Sequence, residues 1–440
     1  MTDLKWNRFT RRAVLAGMAA TAAAPLARVA VARAAAPAVV IIGAGVAGLS
    51  ASMKLSALGV SHQVIEASSR VGGRAFTQTQ TFGVPCDEGA HWLHNAERNP
   101  LVGFARRSGV PVYESDEEWA LFADGEWLEG DDEEEIWDEV ESAGRAIERA
   151  LDRDADVAIG SVIDSDTSKL GRFLIGPYEH AGSVGSLSTV DWDRQEEGTD
   201  MFCSGGLGAL VAKWGAGVPV SFDTQASRVD WSGAGVRVET NKGTITADAV
   251  IVTVSTKVLA SGGIKFSSLP QRTERAIHDL PLGSYNHIVL EFDGDPFELA
   301  PDTMLAYEGS GGTAGLLINA GGAGLTYLDV AGDFGASLTA RGEDAMVEFA
   351  RAAVGDMLGA EGLADLTKAK AFPWEANPLF GGAYTAAKPG RAGARQDLKR
   401  PLGDRVFFAG EATNLSKPAT LDGAIAEGAR AAALAADEVD

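Results

Sequence analysis

Short apolar runs punctuated by glycine set the rhythm of this chain. Val39-Val40-Ile41-Ile42 leads straight into Gly43-Ala44-Gly45-Val46-Ala47-Gly48, and a second run, His62-Gln63-Val64-Ile65, is closed by Glu66. Brief apolar runs bounded by turn residues read as buried strands; the stretch between these two, ending at Leu58 with Gly59 as its stop, reads as a helix. Residues 218–222, 229–231, 236–238 and 249–252 are further β-type runs separated by glycine-containing turns, whereas residues 346–358 keep helical spacing. Val406-Phe407-Phe408 predicts one more buried strand, and an alanine-rich helix follows to the end. Strand, tight turn, helix and strand in this order predict an α/β fold with a Rossmann-like domain.

Charge and targeting signals change the picture next. The 440 residues carry 38 lysines and arginines against 61 aspartates and glutamates, a net charge of −23. Such an excess argues against nucleic acid as a partner and for solubility, and it draws cations toward any acidic funnel. The densest block, Asp131-Asp132-Glu133-Glu134-Glu135, precedes Ile136 and Trp137 in a helical pattern and reads as a helix start matched to the dipole. Residues 1–34 read as an address: polar and basic Asn7 to Arg12 with the pair Arg11-Arg12, an alanine-rich stretch from Ala13 to Ala24, and Ala32-Arg33-Ala34 as a cleavage site. The expectation is a twin-arginine signal, passage through the twin-arginine export machinery, and a periplasmic or exported protein. Length and Arg28 argue against a stable membrane anchor. Cys86 and Cys203 give no disulfide framework, and a buried free thiol is expected for each. The remaining chain is too long for one core and shows no repeat or linker, so two interleaved domains are expected.

The first glycine turn is a phosphate site written in backbone terms. Only glycine fits so tight a turn at Gly43, while Gly45 lets the main chain approach a pyrophosphate and Gly48 lets the helix pack closely on the sheet. Amides at the helix start face the phosphates with a favourable dipole. Glu66 stands where a carboxylate accepts hydrogen bonds from ribose hydroxyls, which disfavours a 2′-phosphorylated cofactor. The loop that follows, from Glu66 to Arg74, is hinged at Gly72-Gly73 and carries Arg70 and Arg74, either of which can contact pyrophosphate bidentately. Gly89-Ala90-His91-Trp92 puts small residues beside an aromatic, a pattern that permits close approach of backbone to a flat ring. Gly410-Glu411 ends the strand at Phe408, and Thr420-Leu421-Asp422-Gly423-Ala424 opens the last helix.

Taken in order, GAGVAGLSA, EASSRVGGRAFT, GAHWLH, the segment from Leu187 through Trp192 to Gly206, ADAVIVTVS, LPLGSYNHIVLEF, PWEANPLFGGAYTAAKPG, and FFAGEAT with PATLDGA span nearly the whole chain beyond the signal. With these motifs the sequence resembles the flavin-dependent amine oxidases, and within them the polyamine oxidase and histone-demethylase branch. The resemblance implies an FAD-binding domain from residues 37–92, 201–265 and 395–440. It implies a substrate domain of mixed sheet plus helices from 93–200 and 266–394, with the active site between the two. It implies that Gly43, Gly45 and Gly48 hold the pyrophosphate and Glu66 the adenosine ribose. Arg74 and the stretch Gly89, Ala90, His91 and Trp92 would lie along the flavin, and Ala226 would touch the adenine through its backbone. Gly410 and Glu411 would meet the ribityl or phosphate end, and Leu421 and Ala424 the pyrimidine side. Trp374, in W-x-x-N-P, matches a tryptophan packed on the ring and equally suits a plain core aromatic. Tyr384 matches an aromatic that walls the substrate amine. Ala383 stands where some relatives carry a cysteine bonded to the flavin, so non-covalent FAD is expected.

Two positions depart from the family pattern. Counting along L-x-G-x-x-x-K from Gly283 reaches His287, where relatives usually place a lysine that holds a water near the flavin; an imidazole can also hold a water and titrates near physiological pH. Thr420 replaces a tyrosine that completes an aromatic cage in some relatives, which implies a more open pocket and a longer substrate. His94 lies near the substrate in this branch. The implied activity is oxidation of an amine C–N bond by hydride transfer to FAD, with hydrolysis of the imine to an aldehyde or ketone and electrons passing to O2 or a periplasmic carrier. A desaturase or dehydrogenase acting on a non-amine, and a flavin-loaded binding protein without turnover, stand as alternatives.

Overall fold

Val39–Ile42 is buried along its whole length because it is the third of five strands in a parallel sheet. The computed structural model describes residues 36–114, 118–195 and 198–439; the expected signal, residues 1–34, lies outside them. The sheet runs Val406–Phe408, Ala249–Val252, Val39–Ile42, His62–Ile65 and Val220–Ser221, with Val39 opposite Ala249 on one side and His62 on the other. The chain leaves the third strand toward one edge and fills the other edge later. The resulting switch point opens at the strand's carboxyl end, where α/β sheets bind ligands.

Glycine shapes that end. The helix Val46–Leu58 starts at Gly45 and stops at Gly59, whose φ of 76° lets its amide reach Leu55 and Ser56 carbonyls. At Gly43 φ is +105°, and a Cβ on Gly48 would lie 1.9 Å from the Gly43 oxygen, so neither position admits a larger residue. The last helix, Leu421–Val439, lies against the first closely enough that the Ser50 hydroxyl donates to the Ile425 carbonyl at 2.7 Å. Its alanines Ala431, Ala432, Ala435 and Ala436 pack with Val39, Ile41, Ile251 and Phe407 in one apolar cluster.

A four-stranded sheet runs Gly243–Ala247, Val236–Thr240, Ala226–Asp230 and Lys265–Phe266. A third sheet has seven strands: Leu366–Ala371, Tyr285–Phe292, Leu325–Ala331, Gly312–Leu317, Met304–Gly309, Trp119–Ala123 and Glu126–Leu128. It is mixed, since Met304–Gly309 pairs parallel with Trp119–Ala123 and antiparallel with Gly312–Leu317. The helix Glu343–Asp365, broken at Gly359, covers one face with Met346, Ala350, Ala353 and Val354. The acidic block begins the helix Asp131–Leu151, with four acids in its first turn. Residues Pro37–Asp440 form one compact unit. Among the described residues no helix is long and apolar enough to cross a membrane. Cys86 is buried as expected; Cys203 departs from expectation, being only half-buried at the end of the short strand Met201–Cys203.

Candidate functional site

Two side-chain-free turns face each other at the switch point. Gly45 forms a bridge with Gly72, and a Cβ on Gly73 would lie 3.3 Å from the Gly45 Cα. Glu66 turns back onto this pair: one carboxylate oxygen accepts from the Ala44 amide at 2.7 Å, the other from the Ser68 amide and hydroxyl at 2.8 Å each. The Glu66 carbonyl accepts from the Thr224 amide at 2.7 Å, which brings the strand of buried Ala226 to the same end. Of the two arginines, Arg70 donates from one terminal nitrogen to the Val71 and Gly73 carbonyls and lies 4.1 Å over the Phe76 ring. That nitrogen ties the loop to itself. Arg74 reaches across the chain, donating to the Ala383 carbonyl and to Glu411 at 3.0 Å.

Glu411 is the hub of a brace that the sequence did not disclose. Its second oxygen accepts from the Thr385 hydroxyl, and that hydroxyl accepts from Arg395 at 2.8 Å. Arg395 is 1% exposed and grips Asp191 with two parallel bonds, Nε to Oδ1 at 2.6 Å and a terminal nitrogen to Oδ2 at 2.7 Å. Burial alone pushes the Asp191 carboxyl up, and the Arg395 charge with its hydrogen bonds more than offsets it, leaving the group below the usual carboxylate range. Asp191 lies in the segment from Leu187 through Trp192 and Arg395 just beyond the motif that ends at Gly390, but nothing along the chain marks the two as partners.

Trp374 and His287 close on the segment 88–90. The Trp374 indole donates to the Glu88 carbonyl at 2.7 Å, and a Cβ on Gly89 would lie 2.7 Å from the Trp374 ring. Trp374 is 7% exposed and meets Phe380 edge-on at 5.1 Å. It thus packs into the core and supports the backbone of Glu88 and Gly89 at once. His287 is buried; its Nδ1 meets Asp329 and its Nε2 meets the Gly89 carbonyl at 2.7 Å. Both ring nitrogens are engaged by protein acceptors, which corrects the expectation that this imidazole holds a water. His91 stacks on it at 4.7 Å, and Trp92 packs on Phe202 at 4.2 Å.

Three tyrosines gather nearby. Tyr285 lies 6.1 Å from Tyr384 and 6.3 Å from Tyr178, ring to ring, and the Tyr384 hydroxyl donates to the Glu179 carbonyl at 3.2 Å. Glu179 has an exposed surface, yet burial raises its carboxyl, with His94 opposing and Asp200 adding to the rise. His94 is bonded to Asp200 at 2.8 Å; burial pulls the imidazole down and Asp200 outweighs it, so its pKa is raised. Thr420 has a capping role besides the pocket position that the resemblance implies. Its hydroxyl accepts from the Gly423 amide at 3.1 Å and donates to the Lys417 carbonyl at 3.0 Å. It caps the last helix, placing Leu421 and Ala424 in the first turn, with the Ala424 amide on the Thr420 carbonyl at 3.0 Å. A crevice of about 330 Å³ lined by Thr256, Lys257, His278 and Glu375 includes none of the sequence-predicted residues.

Residues 46–127 and 147–436 match the family model described as flavin containing amine oxidoreductase. The chain is similar to lysine-specific histone demethylase 1 homolog 1 of Oryza sativa subsp. japonica, 28% identical over 440 residues that cover 90% of this chain and 52% of that protein. It is similar to polyamine oxidase 2 of Arabidopsis thaliana, 28% identical with 90% and 87% of the two chains covered. The fold matches that of wild-type putrescine oxidase bound to putrescine with a TM-score of 0.74 at 18% identity, covering 90% of this chain and 98% of the other. The chain spans about half the length of the demethylase-type relatives. Its residues fit FAD. A Cβ on Gly45 would meet only the Gly73 Cα, at 3.9 Å, and one on Gly410 would meet nothing within 4 Å. Both turns leave free space at the carboxyl ends of strands, beside helix-start amides without intrahelical partners.

Proposed function

Because the chain belongs to the flavin containing amine oxidoreductase family, we propose that it oxidises the C–N bond of an amine with non-covalently held FAD. The observation that carries this reading is the convergence, in one compact unit, of the glycine cradle, the Arg74–Glu411 brace and the aromatic wall of Tyr178, Tyr285 and Tyr384. Bound FAD supplies the two-electron acceptor. The glycine turns and Glu66 bind its nucleotide end, and Arg74 with Glu411 holds the segment at Ala383 against it. Ala383 offers no sulfur for a covalent link.

The wall must favour a neutral amine. A free alkylamine has a pKa of about 10.4, so holding it uncharged near neutral pH costs about 4 kcal/mol. Desolvation against Tyr384 and Tyr285 lowers that cost, because burial disfavours the ammonium. The neutral lone pair then expels hydride from the adjacent carbon, and water hydrolyses the imine to an aldehyde or ketone and a smaller amine. Electrons leave to O2 or to a periplasmic carrier. Glu179, whose carbonyl holds the Tyr384 hydroxyl, and Asp200, bonded to His94, are acidic residues beside this wall, and a carboxylate there would pair with a polyamine-like or arylalkyl ammonium at a distance from the reacting nitrogen. The similarity to polyamine oxidase 2 and the shared fold with putrescine oxidase support the same class.

Anaerobic mixing of the holoprotein with a panel of amines tests this. Bleaching of the visible flavin band by amines, faster as pH rises, is expected; a protein bleached only by non-amine reductants, or by nothing in the panel, is not an amine oxidase. Residues 1–34 support export by the twin-arginine route to the periplasm. Replacing Arg11 and Arg12 with lysine should leave the protein in the cytoplasmic fraction, and unchanged export would refute that route.

A further inference from the structure

His287 and Asp329 lie directly opposite each other on neighbouring antiparallel strands, with Tyr285 two residues earlier on the same face as His287. Cross-strand partners of this kind meet side chain to side chain. The Asp329 carboxylate accepts from the Tyr285 hydroxyl at 2.9 Å on one oxygen and meets the His287 Nδ1 with the other. On the far side of the ring, Nε2 points at the Gly89 carbonyl, 2.7 Å away. A carbonyl oxygen only accepts, so Nε2 carries hydrogen; a carboxylate accepts, so Nδ1 carries one too. An imidazole with hydrogen on both nitrogens is a cation.

We infer that His287 is a positioning residue, kept as an imidazolium by Asp329, which ties the Gly89 carbonyl to the Tyr285 wall and so fixes the main chain of residues 88–90. This rests on the amine oxidase reading for its effect on turnover, but the charge itself does not. His287 is 4% exposed and Asp329 3%. Burial opposes the imidazolium, and the Asp329 charge, its hydrogen bond, the Gly89 bond and the more distant Asp87 overcome it, raising the imidazole pKa. The other groups against the ring do not supply the proton. His91, stacked on it, is pulled down to about 3 by burial and by His287 itself, and the Tyr285 and Tyr327 phenols are raised well above the usual range, chiefly by burial. The two acceptors, Asp329 and the Gly89 carbonyl, thus favour the protonated ring. One consequence is rigid: Gly89 touches Trp374 on one side and is tethered by His287 on the other, so the segment predicted to face the flavin cannot drift.

Histidine-labelled holoprotein provides the test, read by 15N NMR of its six histidines, with His287→Gln identifying the signal. His287 should remain doubly protonated at pH 8, and a signal that is singly protonated there overturns the proposal. Asp329→Asn should return the titration to the ordinary histidine range or below, and should add a falling alkaline limb to the rate of flavin bleaching by an amine. Each single variant should lower the bleaching rate about tenfold, the effect of losing a charged hydrogen bond, with KM little changed. Asp329→Asn combined with His287→Gln should be no slower than the worse single. His287→Lys, which keeps a cationic donor, should recover activity that His287→Gln loses; equal loss in both would refute positioning by charge. An imidazolium signal in a protein that no amine bleaches would leave the charge standing and remove the amine oxidase reading instead.

Discussion

Arg395→Met removes a guanidinium that is 1% exposed and leaves the Asp191 carboxylate, 5% exposed, with the Ala387 amide at 2.7 Å and a long Arg194 contact at 3.4 Å. Taking one partner from a buried, bidentate ion pair costs about 3–5 kcal/mol, since the remaining charge keeps its desolvation penalty. Arg194 softens this, so a loss of about 3 kcal/mol is expected. Asp191→Asn should cost a similar amount, because the amide keeps one of the two acceptors that grip Arg395 but none of the counter-charge, leaving the guanidinium with Thr385 and a 3.4 Å contact to the Ala412 carbonyl as its other partners. Arg395→Met with Asp191→Leu should cost well below the sum, since no stranded charge is left. Urea unfolding followed by tryptophan fluorescence in excess FAD gives the stabilities, and equilibrium dialysis gives flavin affinity. Affinity should fall in Arg395→Met, because Thr385 loses the donor that sets its hydroxyl toward Glu411, and Glu411 orients Arg74. Single losses below about 1 kcal/mol, or strict additivity in the double, would show that the brace is not a coupled unit.

Other consequences are more local. Gly89→Ala would set a Cβ 2.2 Å from the Arg74 carbonyl and 2.7 Å from the Trp374 ring; overpacking against backbone costs about 1–3 kcal/mol, and ultrafiltration should show weakened FAD retention, with retention equal to the parent counting against the cradle. Thr420→Ala should lower stability by about 1 kcal/mol through loss of a helix cap, and Thr420→Ser should restore it; a serine variant as unstable as the alanine one would contradict the capping role. His91 and His180 are pulled down, chiefly by burial, to about 3 and about 4 from an ordinary 6.5. A depressed histidine stabilises above its unfolded value, so stability should be lost as pH falls from about 6.5 toward those values, by up to about 1.4 kcal/mol per unit for each. Thermal unfolding from pH 7.5 to 4.5 measures this, and a flat profile there would exclude both as buried neutral imidazoles. His287, being raised, has the opposite sign: its contribution is complete below the ordinary histidine value and is lost only as pH climbs through its raised one.

The parts legible in the sequence are those in which a single residue's backbone freedom dictates a shape. Gly43 and Gly59 take positive φ where the turn and helix stop were predicted, and Val39–Ile42 is buried on both sides as an unbroken apolar run implies. The brace and the imidazolium obey a different rule. Asp191 and Arg395 are separated by 204 positions, and their meeting depends on how the whole unit folds, which no periodicity encodes. His287 was visible as a departure from a family pattern, but its chemistry depends on the register that sets Asp329 opposite it; a one-residue slip would turn Asp329 to the other face. Thr420 shows the reverse case. A threonine directly before a helical run is a cap signal readable from the chain, whereas the resemblance to relatives that carry tyrosine there implies only its place at the pocket. What a residue replaces in relatives locates it, whereas what its donors and acceptors touch decides its work, and at His287 and Thr420 those two kinds of information diverge.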